Sequence, residues 1–266
     1  MVNFKCCERY DFNDLQTILR ILRGPDGCPW DRVQTHASNR RNFLEEAYEA
    51  AEAFDRDDPA LMCEELGDVL MQVLFNVHME EDAGHFTFDD VCDGICKKLI
   101  FRHPHVFGDG SARTADEVLV NWEELKKREK ALVSASDELE HVARSLPALW
   151  RAEKIQKKAA AHGFEFPDVS AAYAKLREEV DELGEALAGN GSATEELGDV
   201  LFAAVKVGRF LSLDSEEALH GTGDKFSARF RIMEGLADKP LDGLSIDELS
   251  RLWNEAKHIQ NNQEIG

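Results

Sequence analysis

Two sets of four acidic residues with matching spacing are the clearest chemical signal in this sequence. Each set begins with two Glu residues three positions apart and continues with a second acidic pair, also three apart. Residues at that spacing share one face of an α-helix. We therefore expect each half of the chain to bring four carboxylates together from two helices. We call these sets the first tetrad (Glu46, Glu49, Glu65 and Asp68) and the second tetrad (Glu179, Glu182, Glu196 and Asp199).

Converging carboxylates repel one another unless a cation lies between them, so each tetrad is a candidate metal site. A ligand set made only of oxygen atoms suits hard ions, and it predicts Mg²⁺, with Mn²⁺ as a substitute. A di-iron bundle is an alternative, but such sites usually contain Glu-x-x-His pairs, and neither tetrad includes a histidine. A single Glu-x-x-Glu is typical of an exposed acidic helix face. Its repetition, embedded in apolar helices, favours the metal site.

Each tetrad is followed by a pair of basic residues. Lys98 and Arg102 follow the first, Lys225 and Arg229 follow the second, and the members of each pair are four positions apart. This spacing places two cations on one helical face, which suits a polyphosphate. Trp253 follows the second pair, and its role as a core residue or as a base-stacking platform is open.

Apolar residues recur with helical spacing along most of the chain, which predicts an all-α fold. Because tetrads and basic pairs occur twice in the same order, we expect two related helical domains, residues 1–130 and 147–266, joined by a linker at 131–146. We expect Thr194 to cap the second helix of the second tetrad, a break between helices near 221–223, and a frayed tail after Gln260. Gly67 and Gly198, inside tetrad helices, predict close packing against their backbone.

Composition limits the partners. The 266-residue chain has 31 Lys and Arg against 52 Asp and Glu, a net charge of −21, which argues against nucleic acid and anionic membranes. No apolar run has the length of a membrane span, and the first ten residues do not read as a secretory signal. Six cysteines without a disulfide-like pattern indicate reduced thiols and a cytoplasmic protein. A zinc site is an alternative for Cys92, Cys96, His103 and His105, although no Cys-x-x-Cys pair completes it.

Several segments of the chain together resemble the MazG family of nucleoside triphosphate pyrophosphohydrolases in its two-domain form. In the first half they are Gly27–Asp31, Gln34–His36, Leu44–Glu49, Glu65–Asp68 and Arg102–Phe107, and in the second Ile155–Ala160, Gly163–Phe164, Glu178–Glu182, Glu195–Asp199 and Lys225–Phe230. The resemblance implies a four-helix-bundle core in each domain, Mg²⁺ dependence and a homodimer. It also implies cleavage of ordinary and modified nucleoside triphosphates to the monophosphate and pyrophosphate.

The resemblance also assigns roles to residues. It places the metal ligands on the second tetrad with Glu195 as an extra ligand, triphosphate contacts on Lys225 and Arg229, and a nucleotide contact on Trp253. By repeat equivalence, the first tetrad with Lys98 and Arg102 forms a second set. We expect Glu195, Glu196, Lys225 and Arg229 to take part in catalysis. Two departures from the family pattern are Gly223, where Asn is usual, and the polar segment 39–41, where apolar residues are usual.

Other functions fit the same residues. The enzyme could be a narrower pyrophosphatase for one pyrimidine deoxynucleotide or for a guanosine polyphosphate alarmone. The first domain could instead be a regulatory module that binds a nucleotide or a protein without turnover. A purely structural helical scaffold is the third alternative.

Overall fold

A computed structural model of the chain shows two compact helical units, residues 1–126 and 127–266. The structure describes residues 4, 6–109, 114, 117–118, 122, 125 and 134–263, and these contain helices but no strand. The all-α prediction is confirmed. Within the described residues, no helix combines the length and the apolar character needed to cross a membrane.

The first unit consists of long helices separated by capped turns. They are α1 (Phe12–Arg23), α2 (Pro29–Arg32), α3 (His36–Asp55), α4 (Pro59–Ala83), α5 (Phe88–Arg102) and α6 (Pro104–Phe107). Asp58 caps α4 by accepting hydrogen bonds from two backbone N–H groups, and Pro59 occupies the first helical position. The left-handed Asp57 (φ 49°) tightens the turn between α3 and α4, so α4 returns along α3.

The core of the first unit lies where α1 crosses α4. Its buried residues are Leu19, Leu74, Phe75 and Met79. This contact holds α4 from one side while α3 packs along another. The α3–α4 hairpin that carries the first tetrad is therefore fixed by the core rather than by the carboxylates themselves.

The second unit repeats a hairpin of two long helices. Its elements are α7 (Ala135–Glu140), α8 (Ala148–Ala161), α9 (Val169–Leu187), α10 (Ala193–Phe210), α11 (Ser215–Leu236), a 3₁₀ turn (Leu241–Gly243) and α12 (Ile246–Gln263). Helix α9 packs along α10, and α8 packs against α10. Helices α11 and α12 form another hairpin around buried Met233, Leu252 and Ala256.

Three expectations about the second half are wrong in detail. The cap of α10 is Ser192, which accepts a hydrogen bond from the Glu195 N–H, and not Thr194. Helix α11 begins after its Asp214 cap and runs without a break through Gly223, because no proline interrupts it. Helix α12 reaches Gln263, since buried Gln260 accepts a hydrogen bond from Arg229 and holds its last turns.

The segment predicted as a linker contains a short helix that belongs to the second unit. Glu138 of α7 is buried, and its carboxylate pairs with Lys158 and His162 at the end of α8. Both partners lie in the second unit, so α7 is fastened to that unit. The apolar spacing of residues 115–131 also predicts a helix, and most of that segment lies outside the described residues.

Candidate active site

The first tetrad is assembled from facing turns of α3 and α4. Glu46 and Glu49 lie one turn apart on α3, and Glu65 lies on α4. One carboxylate oxygen from each of the three comes within 4.8 Å of the other two. Asp68 stands outside this group of three, although its charge acts on Glu46. The structure therefore brings together three of the four predicted ligands and leaves the fourth nearby.

Crowding of negative charge affects the acidity of this group. Partial burial, followed by the charge of Asp68, raises the pKa of Glu46 above its ordinary value. Partial burial and the charge of Glu49 raise the pKa of Glu65 in the same way. Burial is the larger cause in both residues, and the charges of neighbouring carboxylates add to it. A bound divalent cation would offset the repulsion between these carboxylates.

The second tetrad has the same arrangement on α9 and α10. Oxygen atoms of Glu179, Glu196 and Asp199 lie within 4.8 Å of one another. Glu182 lies outside this group of three, and a hydrogen bond with Glu179 raises the pKa of Glu182. Both hairpins thus reach the same geometry from the same spacing, with a different residue left out in each.

A lysine distinguishes the second tetrad from the first. Lys175 Nζ lies 2.9 Å from Glu179 Oε1 and 2.6 Å from Glu178 Oε1, and these contacts raise the lysine pKa. Lys175 precedes Glu179 by four positions, whereas Asn42 precedes Glu46 by four. The second tetrad therefore carries its own partial counter-charge. The sequence prediction missed Lys175, although its spacing to Glu179 is that of a helical ion pair.

The predicted basic pairs lie on other helices. Lys98 is exposed on α5, whereas Arg102 is buried and its guanidinium stacks 5.2 Å from the ring centre of Trp122. Arg229 on α11 repeats this contact, 5.3 Å from the ring centre of Trp253. The two units therefore share an arginine–tryptophan pair in addition to the tetrads.

Neither basic residue of the second pair reaches the second tetrad. Arg229 Nε donates a hydrogen bond to Gln260 at 3.0 Å, and Lys225 is exposed. Among the described residues, neither forms an ion pair with Glu179, Glu196 or Asp199. The role predicted for this pair is to bind phosphate, and the contacts within the described part of the chain do not test it.

A large open cavity lies beside Trp253. It has a volume of about 670 Å³ between α11 and α12, and its walls include Phe226, Phe230 and Met233. Trp253 is half-buried, with Phe226 4.9 Å from it between ring centres. The Trp253 side chain therefore packs into the α11–α12 core and also lines the cavity. The volume falls in the range of small-ligand pockets.

The glycines in the tetrad helices are not tightly packed. A Cβ placed on Gly67, Gly198 or Gly223 would meet no atom within 4 Å. The expectation of close packing at Gly67 and Gly198 is therefore wrong for the contacts of a single chain. At both glycines the hairpin surface therefore has open space.

The zinc alternative finds no support in the described residues. The groups of metal-ligating side chains found there are the two carboxylate groups. Cys92 and Cys96 are free thiols, as are the other four cysteines. His103 instead lies against Leu99 O at 2.6 Å and against the edge of the Trp122 ring.

The first unit contains a cavity with apolar and polar walls that the sequence prediction also missed. It has a volume of about 220 Å³, and Glu46 of the first tetrad forms part of its wall. Two buried amides, Asn39 and Gln72, meet there with an Nδ2–Oε1 distance of 2.8 Å. Asn39 belongs to the polar segment that departs from the family pattern. That departure was the only sequence signal for this cavity.

Comparison with known proteins identifies the family. The model of the MazG nucleotide pyrophosphohydrolase domain matches residues 34–107 and again 168–231, and each match contains one tetrad and one basic pair. The nucleoside triphosphate pyrophosphohydrolase of Escherichia coli (strain K12) is 41% identical over 251 residues, covering 91% of this chain and 95% of that protein. The nucleoside triphosphate pyrophosphohydrolase/pyrophosphatase MazG of Thermotoga maritima is 41% identical over 249 residues, covering 92% and 95%.

A third relative is longer than this chain. The uncharacterized protein YabN of Bacillus subtilis is 45% identical over 257 residues, which are 94% of this chain but 52% of that protein. This chain thus spans about half the length of YabN and nearly the whole length of the other two relatives. Two family-domain matches and these identities lead to one conclusion: the chain belongs to the MazG nucleotide pyrophosphohydrolase family.

Proposed function

We propose that this chain hydrolyses nucleoside triphosphates, ordinary and modified, to the monophosphate and pyrophosphate in a Mg²⁺-dependent reaction. The observation that carries the proposal is the pair of carboxylate groups, each with three oxygen atoms within 4.8 Å of one another. The names of the Escherichia coli and Thermotoga relatives agree with it.

The donor sets fit a hard divalent ion. Both groups offer only carboxylate oxygens, which Mg²⁺ and Mn²⁺ prefer. Burial and neighbouring carboxylates raise the pKa of Glu46 and of Glu65, and a bound cation would offset the repulsion between these groups. We assign the metal ligands to the two tetrads, including Asp68 and Glu182 beside the two groups of three. Bound metal would neutralise phosphate charge and lower the pKa of a coordinated water.

The chain's own residues would position the triphosphate and handle protons. Glu195 precedes Glu196 at the exposed start of α10. Its carboxylate would accept a proton from the attacking water. Lys225 and Arg229 would bind the phosphate oxygens and stabilise charge that develops on them. Lys98 and Arg102 would do the same at the first tetrad. Trp253, on the wall of the 670 Å³ cavity, would contact the base.

A homodimer would complete these sites. Lys225 and Arg229 form no ion pair with the second tetrad in the described part of the chain, so we infer that a second copy supplies the basic residues that meet a triphosphate held at this tetrad. Large apolar side chains also remain exposed on both hairpins, and there is open space beside Gly67 and Gly198. These side chains are Phe43, Leu44, Tyr48, Leu66 and Leu70 on α3–α4 and Val180, Leu187, Leu197, Leu201 and Phe202 on α9–α10. A second copy packed on these faces would bury them and bring basic residues to the carboxylates.

A difference between the two tetrads supports a second candidate function, in which the first unit has a different role from the second. Lys175 contacts the second tetrad, whereas the first has Asn42 at the equivalent position and a cavity of about 220 Å³ beside it. This asymmetry favours a division of labour in which one unit turns substrate over and the other binds nucleotide as a regulatory module. A pyrophosphatase narrow for one deoxynucleotide or for a guanosine polyphosphate alarmone is the alternative within enzymes.

The test is pyrophosphate release from a panel of nucleoside triphosphates by the wild-type chain and by two variants. One variant changes every carboxylate of the first tetrad to its amide, and the other does so in the second tetrad. We expect the second-tetrad variant to lose turnover with its helical circular dichroism intact. Full release by that variant would move catalysis to the first tetrad, and no release by the wild-type chain would refute the proposal.

A further inference from the structure

The cavity of the first unit has the features of a ligand site. It lies between α1, α3 and α4 beside α2, and Glu46 of the first tetrad is on its wall. We propose that it is a nucleobase subsite, which receives the base of a nucleotide whose phosphates are held at the first tetrad. This inference rests on the proposed function, and it assigns base recognition to the first unit.

Two buried amides form the polar floor of the cavity. Asn39 is 3% exposed and Gln72 is 5% exposed, and Asn39 Nδ2 donates a hydrogen bond to Gln72 Oε1 at 2.8 Å. Asn39 Oδ1 accepts no hydrogen bond from any described residue. This oxygen is therefore available to accept a hydrogen bond from an N–H group of a ligand in the cavity.

The equivalent positions of the second unit show that helix packing does not require these amides. Asn39 precedes Glu46 by seven positions, and Ala172 precedes Glu179 by seven. Gln72 follows Asp68 by four positions, and Ala203 follows Asp199 by four. Both alanines are buried between packed helices. The same hairpin therefore forms with two methyl groups, so the amide pair of the first unit serves something other than packing.

Size and chemistry of the walls match a base. The cavity of about 220 Å³ is smaller than the roughly 300–1,000 Å³ of pockets that hold whole drug-sized ligands. Leu19, Leu22 and Phe75 supply apolar walls, and Trp30, 58% exposed, lies at the cavity as an aromatic surface for stacking. A planar ring with a polar edge has this combination of surfaces. An amide offers one donor and one acceptor to such an edge.

One contact links the base cavity to the metal ligands. Gln72 Nε2 lies 3.5 Å from Glu46 Oε1, so the residue that meets Asn39 also meets a tetrad carboxylate. The Asn42 side chain, four positions before Glu46, lines the cavity and forms no hydrogen bond within the described part of the chain. A base in the cavity would therefore lie directly beside the tetrad that holds its phosphates.

The experiment isolates the first site in the full-length chain. Glu196→Gln with Asp199→Asn blocks the second site, and the affinity for α,β-methylene analogues of four nucleoside triphosphates is measured by calorimetry with Mg²⁺. Inorganic tripolyphosphate with Mg²⁺ serves as a probe that lacks a base. Into this background we introduce Asn39→Ala with Gln72→Ala, which copies the second unit. Asn76→Ala, which removes an amide from α4 outside the cavity, is the matched control.

We expect the double alanine variant to lose at least about fivefold in affinity for the analogues and to discriminate less among bases. Its affinity for tripolyphosphate and that of the Asn76→Ala control should stay within about twofold of the background chain. Unchanged analogue affinity, or an equal loss for tripolyphosphate, would overturn the subsite. Asn39→Ala alone provides the same test if the double variant fails to show a cooperative thermal transition.

Failure of this inference is separable from failure of the proposed function. If the wild-type chain releases pyrophosphate but the background chain binds neither analogue nor tripolyphosphate, the base subsite is overturned and the function stands. If the wild-type chain releases no pyrophosphate from any triphosphate, the proposed function fails. Analogue binding that depends on Asn39 would still support the subsite in that case.

Discussion

Replacing Glu196 by Gln should change the stability of the chain in opposite directions with and without Mg²⁺. Glu196 contributes one of three carboxylate oxygens that lie within 4.8 Å of one another. The substitution keeps the shape of the side chain and removes its charge. Lys175 contacts Glu179 and Glu178 rather than Glu196, so the lost charge has no lysine partner in this group.

The geometry sets the size of the effect. Two charges 4.8 Å apart repel by about 0.9 kcal/mol in water, and Glu196 faces two such neighbours, Glu179 and Asp199. Salt at physiological strength reduces each term by roughly half. Removing the charge should therefore stabilise the metal-free protein by about 1 kcal/mol, which corresponds to about 2–4 °C in melting temperature.

Bound metal should reverse the order. Free Mg²⁺ at one hundred times its dissociation constant stabilises a single site by about 2.7 kcal/mol, and the variant loses most of that gain, which exceeds its advantage of about 1 kcal/mol in chelator. Differential scanning calorimetry with chelator and with saturating Mg²⁺ measures both effects. Glu185→Gln is the matched control, because it removes an exposed charge from α9 outside the group. The first tetrad contributes equally to all three proteins, so it cancels in the comparison.

Two results would refute this reasoning. The first is a Glu196→Gln protein that melts below the wild type in chelator, since that would mean that the carboxylate is not repelled by its neighbours. The second is an equal gain from Mg²⁺ in the wild type and the variant, since that would mean that Glu196 is not a ligand. The Glu185→Gln control should show neither the gain in chelator nor the loss in Mg²⁺.

Three further predictions follow from the site. Lys175→Met should tighten nucleotide-free Mg²⁺ binding several-fold by titration calorimetry, because the lysine no longer competes for Glu179; weaker binding would contradict this. Arg229→Lys should lower kcat/KM at least tenfold, since it removes the fork that binds phosphate and the stack on Trp253; an unchanged value would contradict its role. The pKa values of Glu46 and Glu65 are raised in the fold, so the metal-free protein loses stability as the pH rises from their ordinary pKa through the raised values. Mg²⁺ should therefore raise the melting temperature more at neutral than at acidic pH. An equal rise at both pH values would contradict those shifts.

The sequence predicted the carboxylate groups well because their geometry is mostly local. Glu46 and Glu49 share a helical face by spacing alone, and one turn at Asp57 places α4 beside that face. The fourth members, Asp68 and Glu182, fall outside the groups of three. Helical spacing states which face a residue occupies, whereas the angle and offset between two helices decide which pairs of side chains meet.

The surroundings of the basic pairs and the cavity at Asn39 and Gln72 lay beyond what spacing could predict. The spacing of Lys225 and Arg229 places them on one face of α11 but does not say which helix that face meets. Asn39 and Gln72 are single amides in helical stretches, and only their contact across the hairpin distinguishes them from surface residues. Lys175 escaped notice because one lysine beside several glutamates is common on an acidic surface.

Product analysis of nucleoside triphosphate hydrolysis tests the central claim most directly. The reaction of the wild-type chain is followed by ³¹P NMR in Mg²⁺ and in chelator, beside a variant in which both groups of three carboxylates are changed to amides. We predict monophosphate and pyrophosphate in equal amounts from the wild type with Mg²⁺ only, and no product from the variant with its helical content intact. Pyrophosphate release by that variant, or diphosphate and inorganic phosphate as the products, would contradict the assignment.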